Sequence, residues 1–342
     1  METELRDQGK ALSRRAAAGP DAASRAAELL ADANCEYVLI AARGSSDNAA
    51  RYAQYLLGTT AGMSVALAAP WLYGHGHDPP RLDGAVVIGI SQSGRSPDVV
   101  SVLAAARAQG RPTIAITNDP GSGLAARADV VVELGVGTER AVAATKTYLA
   151  SLHALAQIAS ELRPDRVSSS ELEALPELVT GFAAQQLAGR GRYDRLASRS
   201  LLTVVGRGMD LSTAFETALK LREMSGIPAE AFSPPDLIHG PIAALGSETA
   251  LWVVRSSPDD DPEDVAALAQ ISASSGWVVA VSGQTPVLEL ADLAIALPTG
   301  LAEWAGPVAA VIPGQVAALR LAELRGVDVD SPNGLRKVTM TT

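Results

Sequence analysis

The fold of this 342-residue chain is decided by one stretch, which reads Val86-Val87-Ile88-Gly89-Ile90-Ser91-Gln92-Ser93-Gly94-Arg95-Ser96-Pro97-Asp98. Its first five residues predict a parallel strand that is buried on both faces, because four apolar residues flank Gly89. A helix should begin near Ser96 and Pro97, since proline suits the first helical turn. The stretch therefore predicts a strand, a serine-rich turn and a helix, as in an open α/β sheet.

The serine-rich turn carries the groups that bind a phosphate. Unpaired backbone N–H groups and the positive end of the helix dipole favour an anion at a helix N-terminus. Neutral donors and one permanent positive charge add to these, and they are Ser91, Gln92, Ser93, Ser96 and Arg95. A turn that merely caps a helix can have the same composition, so this turn alone leaves both interpretations open.

The stretch from Val38 to Asp47 repeats the arrangement, with an apolar strand, Gly44, the hydroxyls of Ser45 and Ser46, and a helical pattern. Ligands of open α/β sheets bind beyond the carboxyl ends of the strands, where both turns would lie. Two such turns can converge on one phosphate, which favours the phosphate interpretation.

Strand and helix patterns alternate through the first half of the chain. Strands are expected near 36–42, 63–67, 84–90, 112–117 and 129–134, followed by a long helix near 141–162 and a helical stretch at 169–197. Such alternation predicts an α/β fold with a doubly wound parallel sheet.

The second half repeats the first. Leu201–Gly208 matches the first strand and turn, Ala250–Ser257 matches the serine-rich turn, and Trp277–Val281 matches the next strand. Three carboxylates follow the second serine turn, at Asp259-Asp260-Asp261, and would repel a phosphate. We therefore predict a tandem duplication in which only the first copy keeps the phosphate site.

Composition limits the possible partners and compartments. The net charge is -10 and no run of Lys or Arg occurs, which argues against binding nucleic acid or a membrane surface. The single cysteine, Cys35, rules out an intrachain disulfide and a cysteine metal site. The N-terminus lacks the apolar core of a signal peptide, so a soluble cytoplasmic protein is expected. His75-Gly76-His77-Asp78 lacks further ligands, and we expect no metal and no cofactor.

Further motifs follow in a fixed order along the chain. They are Gly137-Thr138-Glu139, Val142-Ala143-Ala144-Thr145-Lys146, Glu216 to Glu223, Ala229-Glu230-Ala231-Phe232, Ile238-His239-Gly240-Pro241, Asp328-Val329-Asp330 and Leu335-Arg336-Lys337. With the two turns, the series resembles the sugar isomerase (SIS) domain family over nearly the whole chain. The resemblance is strongest to the isomerase half of the glucosamine-6-phosphate synthases.

The resemblance implies two tandem SIS domains, each a five-stranded, flavodoxin-like, doubly wound sheet flanked by helices. The expected division is a helical arm at 1–32, SIS domain 1 at 33–165, a helical connection at 166–197, SIS domain 2 at 198–325 and a tail at 326–342 that closes over the active site. The ligand would be a small phosphosugar. Its binding residues would be Gly44, Ser45, Ser46, Ser91, Gln92, Ser93, Arg95, Ser96, Glu139, Val142 and Ala144.

Lys220 and Glu223 are three residues apart on a predicted helix and so share one face. The spacing alone also fits a solvated ion pair. By resemblance, Glu223 moves a proton between C1 and C2 of a sugar phosphate, and Lys220 holds the neighbouring oxygen or steadies the enediol charge. A carboxylate against an apolar wall binds protons more tightly, which suits this task.

His239 and Lys337 complete the catalytic set that the resemblance implies. His239 would open the sugar ring and reach the active site of the neighbouring subunit, which implies a homodimer with a shared active site. Lys337 would form a Schiff base with the C2 carbonyl of the open ketose. The residues alone equally allow a loop histidine bonded to backbone and a solvated lysine on a tail.

Three departures from the synthase pattern guide the choice of reaction. Glu2 stands where the synthases have a nucleophilic cysteine of a glutaminase domain, Arg95 replaces an acidic residue, and Ala144 replaces a serine. Arg95 is more like stand-alone SIS enzymes, including a type of glucosamine-6-phosphate deaminase. We therefore predict a deaminase or isomerase of a hexosamine or ketohexose 6-phosphate. Two alternatives stay open: a dehydratase that eliminates the C3 hydroxyl of an N-acetylhexosamine 6-phosphate, and a non-catalytic sugar-phosphate sensor.

Overall fold

The computed structural model describes residues 1–32, 34–74, 76, 78–259, 261–330, 334 and 337. These residues divide into two compact units. The first-sheet unit comprises Gly9–Glu139, Lys146–Pro176 and Lys337, and the second-sheet unit comprises Met1–Gln8, Arg140–Thr145 and residues 177–330. Each unit contains one parallel sheet of five strands.

The first sheet has the strand order β2-β1-β3-β4-β5, with every pair parallel. This is the flavodoxin order, in which the direction of winding reverses between β1 and β3. The strands are β1 (Tyr37–Ala41), β2 (Val65–Leu67), β3 (Ala85–Ile90), β4 (Thr113–Thr117) and β5 (Val130–Glu133). All five strand predictions are confirmed to within two residues. Every residue of β3 and β4 is buried, as expected for strands covered on both faces.

The described residues of the first part of the chain form six α-helices. They are α1 (Glu2–Ala17), α2 (Asp21–Ala31), α3 (Ser45–Ala61), α4 (Pro97–Ala108), α5 (Lys146–Leu162) and α6 (Ser169–Ala188). Helix α4 begins at Pro97 as predicted. The prediction that α5 starts near 141 is wrong, because the Glu139 carboxylate accepts hydrogen bonds from the backbone N–H and the hydroxyl of Thr147 and so caps the helix there.

The second sheet repeats the first. Its order is β10-β9-β8-β6-β7, which is the flavodoxin order again when the count starts at β6. The strands are β6 (Leu201–Gly206), β7 (Ala229–Phe232), β8 (Thr249–Arg255), β9 (Val278–Ser282) and β10 (Leu293–Ala296). The sequence did not predict β7 and β10 as strands. Both are four-residue edge strands, and Ala and Glu in β7 have low strand propensity.

The helices of the second-sheet unit are α7 (Asp210–Lys220), α8 (Pro234–Ile238), α9 (Pro262–Ser272), α10 (Thr285–Leu288) and α11 (Gly306–Arg325). Helix α11 packs against α7. The helical stretch Glu303–Arg325 is long and apolar enough to cross a membrane by length and composition, but 94% of its most apolar part is buried in the folded chain. Such burial is typical of a core helix, so this stretch is weak grounds for a membrane span.

Candidate functional site

The turn between β1 and α3 brings two hydroxyls to the carboxyl end of the first sheet. Gly44 has a φ of 55°, and half-buried Ser45 and Ser46 open helix α3. Arg43 Nε lies 2.6 Å from Oδ2 of Asp98, a buried residue in the first turn of α4. This ion pair joins the β1–α3 turn to the β3–α4 turn.

The turn between β3 and α4 offers backbone donors. Among the residues that the structure describes, the backbone N–H groups of Gln92 and Ser93 have no hydrogen-bond partner. Gly94 holds the turn open with a φ of 60°, and a Cβ there would lie 2.0 Å from the Ser122 hydroxyl oxygen. Two adjacent unbonded N–H groups before a helix N-terminus suit an oxyanion.

The side chains of this turn do not cap helix α4. Ser96 occupies the N-cap position, yet its hydroxyl makes no capping hydrogen bond. Ser91 is buried, and Arg95 is exposed with its Nη2 3.1 Å from Oδ2 of Asp119. Because the capping role is not used, the geometry favours the phosphate interpretation of the turn.

Glu139 and Lys337 are in contact. Lys337 Nζ lies 3.2 Å from Oε2 of Glu139, and the lysine side chain is 27% exposed. Lys337 is therefore not a solvated lysine on a tail. To act as an amine nucleophile it must leave this carboxylate and lose a proton. Leu335, Arg336 and the last five residues of the predicted closing tail lie outside the described residues.

Val142 and Ala144 belong to the irregular segment Arg140–Thr145 of the second-sheet unit. Both are half-buried. The backbone N–H of Arg140 donates to Oε1 of Glu4, 2.8 Å away, which fixes the start of the segment.

Helix α7 ends at a buried group of charges. Lys220 is fully buried, with Nζ 2.5 Å from Oε2 of Glu223 and 3.4 Å from Oε1 of Glu216. The Glu216 side chain is fully buried, whereas that of Glu223 is 26% exposed. Since the lysine has no exposed surface, this is not a solvated ion pair.

The backbone around Glu223 departs from the predicted α-helix. Leu221–Ser225 forms a π-helical turn that ends at Gly226, whose φ is 67°. Wide turns of this type occur frequently at functional sites. The turn aims Glu223 partly toward solvent, while Lys220, the last residue of α7, stays inside.

Glu216 was missed as a site residue by the sequence analysis. It lies one helical turn before Lys220, at the i, i+4 spacing that allows an ion pair. That spacing is the signal that could have identified it.

His239 follows α8 and is exposed. Its backbone N–H donates to the carbonyl of Pro235, 3.1 Å away, and its imidazole has no hydrogen bond to the described part of the chain. His153 is buried in α5, and His75 and His77 lie outside the described residues. No group of three or more His, Cys, Asp or Glu among the described residues could hold a metal ion.

Comparison with known proteins identifies the family. Residues 30–161 match the family model described as SIS domain. The chain carries a SIS domain. It is 32% identical over 317 residues to the isomerizing glutamine–fructose-6-phosphate aminotransferase of Mycolicibacterium smegmatis, covering 88% of this chain and 50% of that protein. The chain thus spans about half the length of the curated relatives it matches, and the resemblance to the SIS family is confirmed.

Solved structures agree with this assignment. The C-terminal domain of glucosamine–fructose-6-phosphate aminotransferase from Francisella tularensis is 27% identical, with a TM-score of 0.84 and coverage of 96% of each chain. The glucosamine-6-phosphate deaminase of Thermotoga maritima is 19% identical, with a TM-score of 0.76 over 97% of this chain and 100% of that one. At this lower identity the likeness concerns the fold alone.

The SIS match contains all of the predicted phosphate- and sugar-binding residues and none of the predicted proton-transfer residues. Inside residues 30–161 lie both serine turns, Glu139, Val142 and Ala144. Lys220, Glu223, His239 and Lys337 lie outside it.

Proposed function

We propose that the chain is an enzyme that acts on a hexosamine or ketohexose 6-phosphate by proton transfer between C1 and C2. The favoured reaction is the deamination and isomerisation of glucosamine 6-phosphate. The observation that carries the proposal is the buried Lys220, which contacts two carboxylates of which Glu223 alone has an exposed part. A partly exposed carboxylate beside a buried amine is suited to take a proton from a bound substrate.

The phosphate group would be bound by the SIS domain. The proposed ligands are Gly44, Ser45, Ser46, Ser91, Gln92, Ser93, Arg95 and Ser96, with Glu139, Val142 and Ala144 near the sugar. The unbonded N–H groups of Gln92 and Ser93 and the absence of a Ser96 cap support this assignment within the described residues. Charge-assisted hydrogen bonds contribute roughly 1.5–3 kcal/mol each, so three or four would hold a phosphoester well.

The remaining residues would divide the chemistry. His239 would open the ring by taking a proton from O1 and giving one to O5. Glu223 would take the proton from C2 of the open aldose and return it to C1, while Lys220 steadies the enediol oxygen. The product of this step is an imine at C2. The Lys337 amine would add to C2 of that imine and expel ammonia, which leaves a Schiff base between Lys337 and C2. Water would then hydrolyse this Schiff base to the ketone and the free lysine.

The printed names of the relatives support this substrate class. One relative is named a fructose-6-phosphate aminotransferase and one structural neighbour a glucosamine-6-phosphate deaminase, so each name gives one sugar of a ketose–aldose pair. The two reactions share the aldose–ketose step, so the same proton transfer serves either direction.

Replacement of Glu223 by glutamine tests the proposal, because it keeps the shape of the side chain and removes the base. We expect Glu223→Gln to lower turnover of glucosamine 6-phosphate by about 100-fold to 10,000-fold. Deuterium from heavy water should enter the sugar with the native enzyme and not with the variant, as read by NMR. Glu230→Gln, which changes an exposed carboxylate of β7, is the matched control and should leave both rates unchanged.

The same spectra should be recorded with a panel of hexosamine, N-acetylhexosamine and ketohexose 6-phosphates. Loss of the C3 hydroxyl from an N-acetylated sugar would show that the chain is a dehydratase and not a deaminase. Binding of sugars without any turnover or exchange by the native chain would reject an enzymatic role in favour of a sensor.

A further inference from the structure

The second-sheet unit preserves the frame of the phosphate-binding turns. The backbone N–H of Ser46 donates to the carbonyl of Arg43 over 3.1 Å, and that of Asp210 donates to the carbonyl of Arg207 over the same 3.1 Å. Sheet register agrees, since Tyr37 pairs with Ala85 in the first sheet as Leu201 pairs with Thr249 in the second. Asp210 therefore occupies the position of Ser46.

The ion pair between the two turns is also repeated. Arg43 binds Asp98 in the first copy, and Arg207 Nη1 lies 3.1 Å from Oδ1 of Asp264 in the second. Both aspartates lie in the first turn of the following helix and both are buried. The two copies thus hold their paired turns together in the same way.

The copies differ in what fills the space between the turns. Asp210 is fully buried, and its carboxylate accepts a hydrogen bond from the backbone N–H of Ser256 over 2.7 Å and another from the Ser256 hydroxyl over 2.5 Å. By sheet register Ser256 corresponds to Gln92, whose N–H is one of the unbonded donors of the first copy. The donors that face an open turn in the first copy are already bonded to a carboxylate in the second.

The electrostatic surroundings fit an internal anion. Burial raises the pKa of Asp210, and the hydrogen bonds from Ser256 and the charge of Arg255 oppose that rise. A cavity of about 250 Å³ adjoins Asp210, and Arg207, Arg255, Ser256 and Ser257 contribute to its wall. Asp259, Asp261 and Glu303 also line it, and Asp261 is engaged in capping α9.

We propose that the second copy is an anion site whose occupant is the chain's own Asp210 carboxylate, and that Asp210→Ser opens it to inorganic phosphate. The inference takes the SIS-domain turns of the proposed function as its template. The bound Asp210 carboxylate explains why each chain would bind only one phosphosugar, and this explanation does not depend on the Asp259–Asp261 run. Asp259 and Asp261, which line the cavity, should weaken the affinity of the opened site for phosphate, so the test uses phosphate at tens of millimolar.

The test compares melting temperatures in phosphate and in chloride at equal ionic strength. Asp210→Ser should melt below the wild type in chloride, because the donors of Ser256 lose their acceptor. Phosphate should raise the melting temperature of Asp210→Ser by at least about 3 °C more than it raises the melting temperature of the wild type. Asp210→Asn is the matched control, since its amide still fills the space, and it should show no such extra rise.

An equal phosphate response in the wild type and Asp210→Ser would overturn the inference, as would an equal response in Asp210→Asn. If Asp210→Ser is unfolded in chloride, folding in phosphate supports the proposal and failure to fold in both salts rejects it. The rise in melting temperature of the wild type in phosphate separately measures phosphate binding at the SIS-domain turns. A silent wild type with a responsive Asp210→Ser would reject the proposed phosphate site and leave this inference standing.

Discussion

Lys220 places an amino group in the interior of the second-sheet unit against two carboxylates. Buried charges are tolerated when they are paired, and removing one partner costs more than the pair contributes. The trio of Glu216, Lys220 and Glu223 is therefore a structural unit as well as the proposed proton-transfer group. Its members cannot be changed singly without a cost in stability.

We expect Lys220→Met to lower the free energy of unfolding by about 3–5 kcal/mol, because the fully buried Glu216 loses its ammonium partner. Urea denaturation measures this. The double variant Glu216→Gln/Lys220→Met should recover part of the loss, since no buried carboxylate then remains at that position. Arg81→Met, which breaks an exposed pair with Asp83, should change stability little, and an equally small effect at Lys220 would contradict the burial argument.

The sequence predicted that Lys220 and Glu223 share a face, but it did not predict that the pair is buried. Helix α7 packs against β6 and β7 and also against α11, which approaches so closely that a Cβ at Gly314 would lie 2.6 Å from the Thr217 side chain. A helix so distant in the chain leaves no trace in the local pattern around Lys220. Whether the ion pair is buried or solvated could therefore be determined only from the three-dimensional structure of the unit.

At the scale of elements, hydrophobic periodicity was enough to predict every central strand of the two sheets. All five strands of the first sheet and the strands β6, β8 and β9 were predicted from apolar runs. The edge strands β7 and β10 were missed: Glu230 interrupts β7, and the short apolar run of β10 is half alanine, which has low strand propensity. The start of α5 was missed because a carboxylate from outside the helix fixes it.

Helix α5 contains a buried titratable group, His153. Burial, with a smaller contribution from the nearby charge of Arg15, lowers its pKa to about 4. The unfolded chain binds a proton near pH 6.5, which the folded chain does not bind until about pH 4, so stability should fall as the pH falls through this window. The loss from this histidine should total about 3 kcal/mol and should not grow below pH 4.

Unfolding free energies measured by denaturant between pH 4 and pH 7 test this expectation. His153→Leu should reduce the slope by about one proton, or about 1.4 kcal/mol per pH unit, across the window. His239→Leu is the control, because that histidine is exposed. An unchanged slope in His153→Leu would show that the buried histidine is not what makes the fold acid-sensitive.

At the scale of the whole molecule, the tandem duplication was predictable because strand, turn and helix recur in one order in both halves. The identical strand orders of the two sheets agree with it. The unequal roles of the copies were predicted from the Asp259–Asp261 run, whereas the part played by Asp210 needs three-dimensional contacts. A cytoplasmic location stays a prediction.

Assembly into a homodimer with His239 completing the partner's active site also stays a prediction. Its exposed imidazole is accessible to a second chain. Mixing inactive His239→Ala with inactive Glu223→Gln subunits should restore about a quarter of native activity, because random exchange makes half of the dimers mixed and each mixed dimer has one intact site. Activity that stays absent after mass spectrometry has shown subunit exchange would argue for sites built within one subunit.

The late position of helix α11 in the chain also determines when, during synthesis, the second-sheet unit can complete its fold. A ribosome delivers α7 and all five strands of the second sheet before it delivers α11. The nascent chain therefore leaves the side of α7 that packs against α11 uncovered until this last helix emerges. Domains fold as units during synthesis, and exposed apolar surface at that stage invites aggregation or chaperone binding. The second-sheet unit is thus exposed to chaperones and proteases through most of its own translation, whereas the first-sheet strands emerge early enough to fold while the rest is being made.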